Sequence, residues 1–246
     1  NFSEVIGQEA VKERLIQMVK EDRLPHALLF CGPQGAGKMA LAMAFASYLL
    51  AGDDAEEAMS STVSNARAML RNWEHPDLHF SYPTIKLPSM SGEHQPVSAD
   101  FAKEWHGLIM QGTYFTMNQW MNQMGATTQQ AIITGAESDE LSRVLALKSS
   151  QGGYKVSIIW LPERMNLTSA NKLLKLLEEP PHKTIFLMVC EEPEKLLETI
   201  ISRMQRIDVK RIDDDAIEQA LIIQRGIDHD AAHRIARIAN GSWLKA

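Results

Sequence analysis

The chain has 246 residues, 45% hydrophobic and 23% charged, enough to bury the core of one large domain or of a larger and a smaller one. With 31 acidic against 25 basic side chains the net charge is -6, so any DNA contact needs a local basic patch or neighbouring subunits. The longest nearly apolar stretch, "MALAMAFASYLLAG", is short for a bilayer span and "NFSEVIGQEA" has no secretion-signal pattern, so a cytoplasmic protein without membrane contact is expected.

Residues 8–21 predict an amphipathic helix, with Val11, Leu15, Ile16 and Val19 at helical spacing. "HALLF" at 26–30 is a short apolar strand that runs into a glycine-rich loop, and "KMALAMAFASYLL" is the helix after it. The segment of about 52–150 is variable in texture: "SMSGEHQPVSAD" reads as loop, and no clear strand precedes "QQAIITG". Within it Met117, Trp120, Met121 and Met124 share one helical face, for which core packing is the ordinary explanation and an adaptable partner surface the other. "KVSIIWL" (155–161) and "TIFLMVC" (184–190) read as buried strands, and "RIDV" (206–209) as a short one. Between the first two, "SANKLLKLLEE" is a helix stopped by Pro180 and Pro181. Strands alternating with helices predict an α/β fold with a parallel sheet over about residues 1–210. From Asp213 two aspartate-opened, glycine-closed helices predict a small all-helical domain over 211–246. Cys31 and Cys190 end two of the apolar runs and are expected as buried free thiols.

"GPQGAGK" satisfies G-x-x-x-x-G-K. Gly32, Gly35 and Gly37 let the backbone curl so that successive N–H groups point at phosphate oxygens, and Lys38 pairs with the outer phosphates. The next position usually carries a hydroxyl for magnesium, but Met39 offers a thioether that a hard cation disfavours. A second metal-holding carboxylate belongs at the end of a later buried strand, where Trp160 and Leu161 stand instead. Glu163, beyond Pro162, reads as a solvated loop charge. No metal site is expected, and ATP or ADP as a non-hydrolysed ligand stays open.

"FSEVIGQEAVKERL", "LPHALLFCGPQGAGK", "HPDLHF", "ERMNLTSANKLLKLLEEPP" and "ETIISRMQRI" together resemble the AAA+ clamp-loader subunits of bacterial DNA polymerase III, most closely the delta-prime type that lacks metal ligands. The resemblance implies an AAA+ P-loop NTPase fold, a helical lid, and a C-terminal collar domain beyond the abrupt ending at "SWLKA". It implies a non-hydrolysing stator that helps load the sliding clamp on primer–template DNA beside gamma/tau and delta subunits. An active gamma/tau-type ATPase and a structural nucleotide-binding module are the alternatives. In the family, the arginine after "TIIS" enters the neighbouring subunit's ATP site, which makes Arg203 the expected arginine finger acting in trans. The family's zinc cysteines are missing from "AMSSTVSNARAMLRNWE", and Pro76 separates His75 from His79, so no zinc is expected. The family's lid arginine falls at Leu244. Lys172 and Lys175 on the leucine-rich helix form a modest positive face, more ordinarily solvated than bound to DNA.

Overall fold

The computed structural model describes residues 1–53, 60–126 and 128–246; the remainder of the variable segment lies outside the described residues. Helix α1 (Glu9–Lys20) precedes strand β1 (Ala27–Cys31), which leads through the glycine loop into α2 (Lys38–Ala51). The variable segment holds α3 (Ser61–Arg71), β2 (Leu78–Ser81), α4 (Ala102–Gln111), α5 (Met117–Gln123) and α6 (Gly135–Leu145). Then come β3 (Lys155–Trp160), α7 (Leu167–Glu178), β4 (Thr184–Cys190), the single turn α8 (Glu198–Ile201) and β5 (Gln205–Asp208). The helical pair α9 (Asp214–Arg225) and α10 (His229–Ala239) follows.

The five strands form one parallel sheet in the order β2-β3-β4-β1-β5. Strands β1, β3 and β4 are buried on both faces, which is why their sequences are continuous apolar runs rather than alternating ones. Their odd and even residues still divide the core. Leu28, Phe30, Ile158, Trp160, Leu187 and Val189 face α2, whereas Leu29, Ile159, Phe186, Met188 and the two free thiols Cys31 and Cys190 face the layer that includes α7. Those cysteines are register partners on adjacent strands.

Strand β2 escapes sequence reading because it is a four-residue edge strand, half-buried at His79 and Phe80. What holds its entrance is polar. Asp77 accepts hydrogen bonds from Ser149 Oγ at 3.0 Å, Ser150 N–H at 2.9 Å and Ser150 Oγ at 2.8 Å, pinning the loop before β3 to the start of β2. Burial opposes ionisation of Asp77, but the bonds from Ser150 and Ser149 outweigh it and hold the carboxyl below its ordinary value. A depressed folded-state value contributes stability above the unfolded carboxyl range that is lost as pH falls through the folded value. Asp77→Asn is therefore expected to lower stability by about 1–2 kcal/mol at pH 7. Urea unfolding should show the gap between wild type and variant closing as pH falls below the ordinary carboxyl range; a pH-independent gap would sink the assignment.

The face at Met117, Trp120, Met121 and Met124 packs inward, with Trp120 fully buried and its indole N–H donating to the Pro83 carbonyl at 2.7 Å. It continues an aromatic cluster in which Trp105 stacks on Tyr82 and meets Trp120 and Trp160 edge-on or tilted. Helices α9 and α10 bury a separate small core around Ile217, Leu221, Ala232 and Ala236.

Candidate functional site

The glycine loop sits beyond the C-terminal end of β1, a strand flanked by β4 and β5, where ligands of open α/β sheets bind. Gly35 and Gly37 adopt φ of +82° and +97°, conformations that ordinary residues rarely hold. Each loop glycine also lets another part of this chain approach. A Cβ on Gly32 would lie 2.1 Å from the Val209 carbonyl oxygen, one on Gly35 2.0 Å from Ser242 Oγ, and one on Gly37 3.1 Å from the Tyr114 hydroxyl. Trp243 N–H donates to the Gly35 carbonyl at 3.0 Å, and Gln8 Nε2 to the Ala36 carbonyl at 3.0 Å. The backbone geometry that suits a phosphate cradle is here packed against the chain's own N-terminal, central and C-terminal segments.

Lys38 is buried, and its ammonium donates to the Gly32 carbonyl at 2.6 Å and the Pro33 carbonyl at 2.9 Å. It is turned back on the loop. Burial lowers its pKa, opposed by the attraction of the Glu191 and Glu163 carboxylates. Tyr114 narrows the mouth: its hydroxyl accepts from Ile6 N–H at 3.0 Å, its ring lies against Trp243, and burial pushes its pKa up to about 12. Between Tyr114, Phe115, Trp160, Leu244 and the loop the remaining cavity measures about 30 Å³. Small-molecule sites run to roughly 300–1,000 Å³, so this space suits one water and not a nucleoside triphosphate.

The two metal-holding positions are equally occupied. Met39 is buried, and Trp160, 3% exposed, packs its ring 5.1 Å from Phe115 and 5.5 Å from Trp105. Glu163 corrects the expectation of a solvated charge. Leu161 holds a left-handed φ of 58°, and the short turn after it brings the Glu163 carboxylate to the end of β4, where it accepts from Glu191 N–H at 2.8 Å and Glu192 N–H at 2.7 Å. Its Oε1 is buried and has no partner among the described residues. Sequence reasoning also missed Glu191. Burial raises its pKa, against the pull of Lys38, and it stands in the lining of the loop cavity. The available signal was its place just after the apolar run of β4, at the same sheet end as the glycine loop. Leu244, at the position of the expected lid arginine, does reach the loop cavity.

Arg203 lies elsewhere. It follows α8 and precedes β5, whose Gln205 pairs with Leu28, so it stands at the sheet end opposite the glycine loop that follows Cys31. Its guanidinium is one-third exposed, pairs with Glu178 at 2.6 Å and donates to the Thr199 carbonyl at 2.8 Å. This placement keeps it from its own loop. His75 is buried with Nδ1 accepting from Asp77 N–H at 3.1 Å, while His79 sits in β2 with its pKa lowered by burial. Lys172 pairs with Asp139 at 2.5 Å, and Leu173 and Leu177 beneath it are core.

A glycine loop between a buried parallel strand and a helix, with a small helical unit resting on it, defines an AAA+ P-loop α/β protein. The family described as DNA polymerase III, delta subunit, matches residues 7–213; the chain belongs to that family and is delta-prime-like within it. It is 29% identical over 233 residues to DNA polymerase III subunit delta' of Bacillus subtilis strain 168, covering 95% of this chain and 56% of that one. A shorter match, 54% identical over 57 residues, covers 22% of the chain and 16% of subunit delta' of Yersinia pestis. The tau/gamma subunit of Haemophilus influenzae is 26% identical over 246 residues, 98% of this chain and 29% of that one. Among solved structures, a DNA polymerase III gamma subunit-related protein from Thermotoga maritima covers 94% of this chain and 60% of its own, with a TM-score of 0.48 and 15% identity. The chain spans about half the length of the Bacillus delta' subunit.

Proposed function

We propose that this chain is a non-hydrolysing, delta-prime-like stator of a DNA polymerase III clamp loader, working in the cytoplasm beside gamma/tau-type and delta-type subunits. It helps place the sliding clamp on primed DNA and supplies Arg203 to the ATP site of a neighbour. The single observation that carries this reading is the closed glycine loop, with about 30 Å³ left between it and Tyr114, Phe115, Trp160 and Leu244. The residues around it do not fit a magnesium-bound nucleoside triphosphate, because Lys38 is spent on loop carbonyls and Met39 and Trp160 replace the metal-holding groups. The chain is then no enzyme by itself and requires neither cofactor nor zinc. With the loop closed by side chains, the lid is held on the sheet without nucleotide, which suits a fixed partner in an assembly whose other members open and close.

Equilibrium binding of a fluorescent ATP analogue to the chain, with and without magnesium, tests this directly. No saturable binding up to about 1 mM analogue is expected, corresponding to a binding free energy weaker than about -4 kcal/mol. Magnesium-dependent binding with turnover would replace the stator by the gamma/tau-type ATPase, and tight binding without turnover by a structural nucleotide module.

A further inference from the structure

Among the described residues, strand β2 ends the sheet, with β3 as its one partner. In a parallel ladder alternate residues turn both backbone groups to the same side. Val156 N–H donates to the Asp77 carbonyl at 2.8 Å, so Asp77, His79 and Ser81 face β3 while Leu78, Phe80 and Tyr82 face outward. Within the chain, Leu78 N–H is taken by the His75 carbonyl at 3.0 Å and Tyr82 N–H by Ser98 Oγ at 3.1 Å. Among the described residues, nothing pairs with the outward N–H and C=O of Phe80.

Helix α4 packs on one face of the sheet and α6 on the other, and over this bare edge they leave a groove of about 290 Å³. Phe80, Trp105, Ile109, Leu141 and Val144 give it apolar walls. Trp105 is 3% exposed, yet its indole N–H has no acceptor among the described residues. The charged lining is one-signed: Glu137 and Glu140 border the groove, with neither lysine nor arginine among the lining residues. Glu137 is held by Ser81 Oγ at 2.7 Å and Ser98 N–H at 2.6 Å, and Glu140 accepts through both oxygens from Arg143 at 2.6 and 2.9 Å. Glu74, outside the lining, lies 3.6 Å from His106, which is part of it.

We propose that this groove takes an extended, basic segment of a partner polypeptide, which adds as a strand beside β2 through the Phe80 N–H and C=O and sinks one apolar side chain between α4 and α6. Unpaired edge groups are a template for another backbone, and pockets flanking the edge supply the side-chain selectivity of such strand addition. A volume near 290 Å³ accommodates one large apolar side chain with room to spare. The two lining carboxylates, Glu137 and Glu140, outnumber the one guanidinium bonded to them, that of Arg143, which favours lysine or arginine in the flanking positions and disfavours acidic segments. This inference does not depend on the state of the glycine loop.

The test is selection of a randomised linear heptapeptide display library on the immobilised 246-residue chain, followed by anisotropy titration of the enriched peptides. Enrichment of basic peptides with alternating apolar residues is expected. Binding should weaken at least tenfold in Phe80→Pro, which removes an outward N–H that an edge strand can forgo, and in Ala102→Trp, which fills the groove. Amide exchange at Phe80 should slow at least tenfold when peptide is bound; thermal melting checks that both variants fold. Absence of enriched peptides, equal binding to both variants, or Phe80 protected by self-association without peptide would each overturn the proposal.

Discussion

Arg203→Ala, introduced into an otherwise intact reconstituted clamp loader, is expected to leave assembly and the chain's melting temperature nearly unchanged while the neighbouring ATP site loses about 10³-fold or more in turnover. The stability side follows from the environment. Arg203 is one-third exposed and its bond to Glu178 is a surface ion pair, a class worth about 0–1 kcal/mol. For the same reason, releasing the guanidinium toward another subunit costs little. The catalytic side rests on the proposed finger role, with which placement is compatible: Arg203 stands at the sheet end away from its own glycine loop and so does not serve that loop. A planar fork is suited to phosphate oxygens, so Arg203→Lys should recover a minor part of the rate. Single-turnover hydrolysis in the complex distinguishes this from a loss of assembly, which sedimentation would reveal. If the alanine variant assembles and hydrolyses at the wild-type rate, the finger assignment fails.

Much of this arrangement was legible in the sequence because strong local signals carried it. The apolar runs of β1, β3 and β4 are buried on both faces, and the loop between β1 and α2 needs glycine at positive φ, so pattern and place agree. Met39 and Trp160 could be read as absent metal holders from the same local context. The rest depends on contacts distant in sequence. Tyr114 reaches Ile6 across 108 positions and Ser242 meets Gly35 from the far end of the chain, so nothing local foretold that the loop would be covered. Glu163 was misread because a single left-handed residue, Leu161, redirects the chain after β3, and sequence gives no sign of a non-glycine residue in that conformation. Strand β2 was hidden by its length and by a polar residue in its middle, both ordinary for an edge.

The distinction between an absent ligand residue and a refilled site leads to the second large effect. If the chain had merely lost its metal holders, returning a carboxylate at the end of β3 would recreate part of an ATPase. Trp160→Asp is instead expected to destabilise the chain by more than about 3 kcal/mol, the lower bound for truncating a buried tryptophan, with the burial of a charge added to it. The ring it removes is packed against Trp105 and Phe115 and lines the loop cavity, and Lys38, the lysine of the same lining, already donates to the Gly32 and Pro33 carbonyls. Against a total stability of about 5–15 kcal/mol that is a large fraction. Trp160→Phe, which keeps an aromatic ring, should cost much less and serves as the control. Combining Trp160→Asp with Met39→Thr restores both metal-holding groups, yet Tyr114, Phe115 and Leu244 still cover the loop and Lys38 still bonds its own backbone. The double variant should therefore show a lowered urea midpoint and no magnesium-dependent hydrolysis. Hydrolysis with retained stability would mean that the covering residues move aside at little cost, and the closed loop would then be a resting state of an ATPase rather than a block to hydrolysis.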